Sequence, residues 1–131
     1  MTPEELSNRL LDFAARIIAL TESLPETRTG RHVAGQLLRC GTSPAPNYEE
    51  ACAAESTRDF IHKLRVVLKD LRESRIWLKL IARTMLLPDT ATKPAISEAN
   101  ELCNIIGKSI VTATQPPMKN KIEQKQKSIA T

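Results

Sequence analysis

The sequence predicts an all-α fold, an antiparallel four-helix bundle with up-down-up-down topology, and three observations lead to this prediction. Apolar residues recur at alternating spacings of three and four in four separate stretches, which is typical of helices that face a shared core. The stretches are joined by only a few residues, so neighbouring helices should run antiparallel. Aromatic residues make up 3% of the chain and 4 of its 131 residues are glycine, a supply that argues against an all-β fold.

The first predicted helix begins at the amino terminus of the chain. Thr2 is the expected N-cap, Pro3 lies in the first turn, and Pro25 ends the helix. Its apolar face is regular throughout, and it consists of Leu6, Leu10, Phe13, Ile17, Leu20 and Leu24.

The second predicted helix begins near Thr29, and its apolar pattern continues as far as Cys52. Pro44 and Pro46 interrupt it, and each proline removes a helical hydrogen bond and crowds the preceding turn. We therefore predict a kink or a one-turn break near these prolines, between residues 40 and 47.

The third predicted helix starts at Ser56, where Asp59 completes an S-x-x-D capping signal, and Pro88 marks its end. The fourth spans roughly residues 93–114 and ends before two consecutive prolines. The bundle is thus expected to cover residues 1–114. Residues 115–131 are rich in lysine and glutamine, and we expect a flexible, disordered basic tail there.

Composition and cysteine usage indicate the compartment. The formal net charge is +4, no apolar run approaches the roughly 18 residues of a transmembrane helix, and the first residues lack the features of a secretory signal. Cys40, Cys52 and Cys103 form no CxxC pair and are expected to be free, buried thiols. We therefore expect a cytoplasmic protein that does not contact a membrane.

Positive charge is concentrated on one face of the third predicted helix, which we call the basic stripe. Six of its eight positions are Lys or Arg and none is acidic: Arg58, Arg65, Lys69, Arg72, Lys79 and Arg83, with His62 and Ile76 between them. One interpretation is a solvated face whose cations pair with neighbouring acids. The other is a track for a polyanion. Because the stripe has no aromatic residue for base stacking, nucleic-acid binding there would be directed at the phosphate backbone and would discriminate poorly between sequences.

Large apolar residues also lie between the core face and the basic stripe of this helix. They are Val66, Ile76, Trp77 and Leu80. Either the fourth helix wraps far enough to cover them, or a second subunit does. We predict that they form the interface of a homo-oligomer.

The catalytic inventory is small. The chain has two histidines, and its nearest approach to a di-metal bundle motif is a single Asp59-x-x-His62 on the basic stripe. It contains no phosphate-binding loop, dinucleotide-binding turn or nucleophile elbow. We therefore expect no metal site, no cofactor and no enzymatic activity.

Four polar residues follow one face of the second helix at spacings of four, four and three: Arg39, Ser43, Asn47 and Glu50. Taken alone, they predict a hydrogen-bond network that fixes the register of the helix. Together with the surrounding segments they resemble the "four helix bundle protein" family, also called 23S ribosomal RNA intervening-sequence proteins. The segments are QLLRCGTS at 36–43, NYEEA at 47–51, DFIHKL at 59–64 and LRE at 71–73.

The resemblance covers about residues 24–87, and Pro44 and Pro46 depart from the usual pattern. It implies that Arg39, Ser43, Asn47, Glu50 and Glu73 are recurring polar positions that support the structure. Some family members are encoded within insertions in bacterial large-subunit rRNA genes, and the family implies small cytoplasmic bundles that assemble as ring-shaped homopentamers and have no established enzymatic activity. Related accessory proteins of diversity-generating retroelements form similar basic pentamers that bind nucleic acid and a reverse transcriptase.

These expectations combine into one functional hypothesis and one alternative. The hypothesis is a non-catalytic, homopentameric factor that binds the backbone of RNA or DNA, or that associates with a ribonucleoprotein. The alternative is a protein–protein interaction module whose basic stripe docks an acidic partner, such as a reverse transcriptase or another enzyme.

Overall fold

A computed structural model describes residues 1–115 of the chain, and helices make up almost all of this part. They are α1 (Pro3–Ser23), α2 (Arg28–Thr42), α3 (Pro44–Cys52), α4 (Thr57–Thr84) and α5 (Asp89–Thr114). No strand occurs within these residues. Because α2 and α3 are the two halves of one bent helix, the fold is the predicted four-helix bundle. The predicted tail at 115–131 lies, apart from its first residue, outside the described residues.

The order of the helices around the bundle follows from which of them touch. α1 contacts α2, α3 and α5, and α4 also contacts α2, α3 and α5. Within residues 1–115, α1 and α4 do not contact each other, so they occupy diagonal corners. One flank of α4 therefore packs on the bent helix and the other flank packs on α5.

Side-chain caps define where three of the helices begin. Thr2 Oγ1 accepts a hydrogen bond from the backbone N–H of Glu5 (3.1 Å), and Ser56 Oγ accepts one from the N–H of Asp59 (3.1 Å), both as predicted. Thr27 caps α2, which starts slightly earlier than the sequence indicated. α5 also starts earlier, at Asp89, and it accommodates Pro94 inside the helix.

The bend between α2 and α3 lies at Ser43, within the interval predicted from the two prolines. Ser43 keeps a right-handed helical conformation (φ −67°, ψ −35°), and helical hydrogen bonds persist on both sides, from Ser43 N–H to the Arg39 carbonyl and from Asn47 N–H to the Ser43 carbonyl (both 3.2 Å). Pro44 and Pro46 have no N–H to donate to the preceding turn. The chain therefore bends without losing its helical path.

The predicted apolar faces line one continuous core. All six apolar residues of the α1 face are buried, and Leu64, Leu71 and Leu78 of α4 are fully enclosed. Cys40 and Cys103 are buried free thiols. Cys52 is free but exposed, because it is the last residue of α3, and the expectation that it is buried is therefore wrong. Among residues 1–115, no helix is long and apolar enough to cross a membrane.

Candidate nucleic-acid interface

The basic stripe lies along the outer face of α4. All six of its Lys and Arg residues are exposed: Arg58, Arg65, Lys69, Arg72, Lys79 and Arg83. In the described part of the chain, none of them has a carboxylate within ion-pair distance. This arrangement differs from a solvated face of paired charges, and it leaves the six cations available to an external anion.

Two clefts flank the stripe where α4 packs against α5. The first has a volume of about 570 Å³ and lies between the beginning of α4 and the end of α5; its lining residues include Arg58, His62, Arg65 and Ala113. The second has a volume of about 450 Å³, and its lining residues include Arg72, Asn104, Gly107, Lys108 and Val111. Both clefts thus have cations from the stripe on one wall and α5 on the other.

Asp70 and Glu73 of α4 lie on the opposite flank, which faces the bent helix. The guanidinium of Arg39 forms an ion pair with the carboxylate of Glu73, and Trp77 Nε1 donates a hydrogen bond to the same carboxylate (3.4 Å). Lower on this flank, Lys63 Nζ donates to Glu50 Oε2 (3.2 Å). These contacts join α2 and α3 to α4.

Ser43 and Asn47 form the part of this polar series that lies at the bend. Asn47 Nδ2 donates hydrogen bonds to both Ser43 Oγ and the Ser43 carbonyl (3.0 Å each). This contact supports the bend where the prolines remove backbone hydrogen bonds. The four polar residues of the bent helix therefore contact one another or α4, and Glu73 is the α4 partner of Arg39. Their role in fixing helix register stays a prediction.

Asp70 belongs to the same network although the sequence analysis did not single it out. Its side chain is 9% exposed, and burial raises the pKa of its carboxyl group, while a hydrogen bond from Ser43 and the charge of Arg39 oppose that shift. Burial also raises the pKa of the neighbouring Cys40 thiol to about 11. The signal that could have identified Asp70 is its position one turn before Glu73, on the flank that faces the bent helix.

The four residues of the predicted oligomer interface are not equivalent in the structure. Ile76 and Leu80 are exposed (61% and 41%), whereas Val66 and Trp77 are half-buried. Trp77 meets the ring of His32 edge-on, with ring centroids 5.9 Å apart. α2 thus covers part of Trp77, and Ile76 and Leu80 are the most exposed members of this set.

A second exposed apolar set lies on α1 and α2, and sequence reasoning missed it. Its members are Leu11, Ile18 and Leu38, which are 56%, 46% and 41% exposed. Each lies just beside a buried position of its helix, so periodicity alone does not separate it from the core face.

Comparisons with known proteins identify the family. Residues 5–108 match the model of the 23S rRNA-intervening sequence protein family. The chain belongs to this family. It is also similar to a solved structure of a protein of unknown function from the S23 ribosomal protein family of Bacteroides thetaiotaomicron, with a TM-score of 0.76 and 31% sequence identity over 80% of this chain and 97% of that one. No curated protein matches the chain.

The two histidines of this family member lie in different surroundings on two helices. His62 lies in the larger cleft beside Arg58 and Arg65, and His32 packs against Trp77. Within residues 1–115, no group of three or more His, Cys, Asp or Glu side chains is arranged to hold a metal ion.

Proposed function

We propose that this member of the 23S rRNA-intervening sequence protein family is a non-catalytic, homo-oligomeric factor that binds the phosphate backbone of nucleic acid. The observation that carries the proposal is the basic stripe: six exposed cations on one helix face, without a carboxylate partner in the described part of the chain. Phosphate binding needs spaced cations, and releasing condensed counterions from the nucleic acid supplies the free energy of binding. An RNA or a DNA backbone meets this requirement equally.

The number of cations in the stripe determines how steeply such binding should depend on salt concentration. If all six cations contact phosphates of duplex DNA, the logarithm of the binding constant should fall with the logarithm of salt concentration with a slope of about −5 per subunit. Sequence preference should be weak, because no aromatic residue lies on the stripe to hold an unpaired base.

Oligomer formation is the second part of the proposal. The family resemblance implies a ring-shaped pentamer, and two exposed apolar sets on one subunit are compatible with contacts to two neighbours. They are Ile76 with Leu80 on α4, and Leu11, Ile18 and Leu38 on α1 and α2. In a ring, several copies of the stripe would combine weak phosphate contacts into higher avidity. Light scattering at micromolar concentration tests this part, and a monomer would contradict it.

The test of binding compares two triple variants with equal charge. Arg65, Lys69 and Arg72 are each replaced by Gln in the stripe variant. The control variant replaces exposed arginines of α1 and α2, and its substitutions are Arg16→Gln, Arg28→Gln and Arg31→Gln. Fluorescence anisotropy with labelled RNA or DNA over a salt series should show a slope less steep by about 3 for the stripe variant and a smaller change for the control. Equal effects of the two variants would show that net charge, and not the stripe, determines binding.

The docking of an acidic protein partner remains as the alternative for the same cations. It predicts no binding of the wild-type protein to random RNA or DNA even at about 50 mM salt, where backbone contacts are strong. Such a result would overturn the nucleic-acid proposal and favour the interaction module.

A further inference from the structure

We infer that the ligand of this surface is an unpaired polynucleotide strand that lies along the groove between α4 and α5, with Gly107 and Lys108 of α5 forming the second wall of its site. The inference rests on the proposed function and goes beyond it in two respects. It adds residues from a second helix to the site, and it names the form of nucleic acid that fits.

Charge is the first argument for a groove. Lys108 lines the smaller cleft together with Arg72 of the basic stripe, so cations of both helices face the same space. The carboxylates of Glu98 and Glu101 are both neutralised by Arg9 of α1 (2.7 and 2.6 Å). The α5 residues that line the smaller cleft are neutral or basic, and none of them is acidic.

Shape is the second argument, and it favours an unpaired strand. The two clefts, of about 570 and 450 Å³, fall within the range of sites that hold small organic molecules. Arg65 of the first and Arg72 of the second are two helical turns apart, about 10 Å along α4. An unpaired strand can lower a sugar or base into each cleft while its phosphates stay on the stripe. In a duplex the bases are stacked, and removing one from the stack has a free-energy cost of a few kcal/mol.

The lining of the smaller cleft is the third argument. Val111 is 57% exposed at its edge, which provides an apolar surface for a sugar or base. Gly107 leaves the backbone of α5 uncovered there: an added Cβ would meet no atom within 4 Å. A ligand can therefore approach α5 closely at this position.

Gly107 also provides a sharp test, because a larger residue would fill the cleft without a clash inside the protein. Gly107→Gln should weaken binding of a labelled single strand by about tenfold, or about 1.4 kcal/mol, because the added side chain occupies the cleft. The matched control is Gly35→Gln on α2, where an added Cβ likewise meets nothing within 4 Å. This control should bind like the wild type, and both variants should keep the helical circular-dichroism signal.

Lys108→Gln tests the second wall through the salt dependence. For a single strand it should make the slope of log affinity against log salt less steep by about 0.7, the value for one phosphate contact. Arg31→Gln on α2, the helix diagonally opposite α5, is the charge-matched control and should leave the slope unchanged.

The outcomes separate this inference from the proposed function. If the stripe triple variant loses binding but Gly107→Gln and Lys108→Gln bind like the wild type, the groove is wrong and the stripe remains. If Gly107→Gln weakens a duplex of equal length as much as the single strand, the assignment to an unpaired strand is wrong. If the wild-type protein binds neither form, the proposed function itself fails.

Discussion

The same substitution, glycine to alanine, should have different effects on stability at two positions of α2. An alanine Cβ at position 41 would lie 2.7 Å from Ile17 Cγ2 and 2.8 Å from Ile17 Cγ1, closer than carbon atoms approach without displacement. At position 35 an added Cβ meets no atom within 4 Å. Gly41 is buried where α2 crosses α1, and Gly35 is exposed on the same helix.

The magnitude follows from two opposing contributions. Alanine is more favourable than glycine inside a helix by about 1 kcal/mol, and both positions gain this amount. Ile17 is fully buried, so it cannot move away from a Cβ at position 41 without disturbing its neighbours, and such overpacking costs about 1–3 kcal/mol. Gly35→Ala should therefore raise the free energy of unfolding by about 1 kcal/mol. Gly41→Ala should be less stable than Gly35→Ala by about 1–3 kcal/mol.

Urea unfolding followed by far-UV circular dichroism measures this difference. Protein concentration must be held fixed, because self-association makes the apparent stability depend on it. A third variant identifies the cause: Ile17→Ala removes both Cγ atoms and leaves Cβ, 3.1 Å from the added carbon. In that background Gly41→Ala should be less unfavourable than in the wild type. A clash with Ile17 is excluded if Gly41→Ala is as stable as Gly35→Ala, or if the effect of Gly41→Ala is the same with alanine at position 17 as with isoleucine.

Two further predictions concern the charged contacts between helices. Burial raises the pKa of Asp70 in the folded protein above its ordinary value of 3.8. Its contribution to stability is therefore complete below the unfolded pKa and is lost as pH rises through the folded pKa. Asp70→Asn should flatten the decrease of the urea midpoint over that pH range, and an unchanged profile would contradict the raised pKa. Arg9 lowers the pKa of Glu98 below its ordinary value of 4.5, so their contribution is present above that value and is lost as pH falls through the folded pKa. Arg9→Met should cost about 1 kcal/mol at neutral pH and less in high salt, and urea midpoints that match the wild type at low salt would exclude a stabilising ion pair.

The features of the fold that could be predicted from the sequence are those set by residues close together in the chain. Proline removes an N–H at its own position, and so Pro44 and Pro46 locate the bend without knowledge of any neighbouring helix. The caps at Thr2 and Ser56 act over three residues, and they also follow from the sequence. The exposed face of α4 follows from the helical period alone, since it is the face opposite the apolar residues.

Features that depend on two helices at once could not be predicted in the same way. Trp77 meets the ring of His32, a contact that depends on the register of α2 against α4. Lys108 and Gly107 stand beside Arg72 only because α5 packs along that flank of α4. A single helix pattern contains no information about which residues of two helices meet.

The contacts between the bent helix and α4 also bear on the basic stripe, because α4 has acidic residues on one flank and exposed cations on the other. Asp70 and Glu73 are the acids in the middle of α4, and both face the bent helix, where Arg39 neutralises the carboxylate of Glu73. An acid on the other flank would stand among the cations of the groove and reduce the potential that attracts phosphate. The contacts that hold α2 and α3 against α4 therefore also keep the carboxylates of Asp70 and Glu73 away from the proposed nucleic-acid site. Arg39, which pairs with Glu73, thus affects the electrostatic potential of that site as well as the packing of the helices.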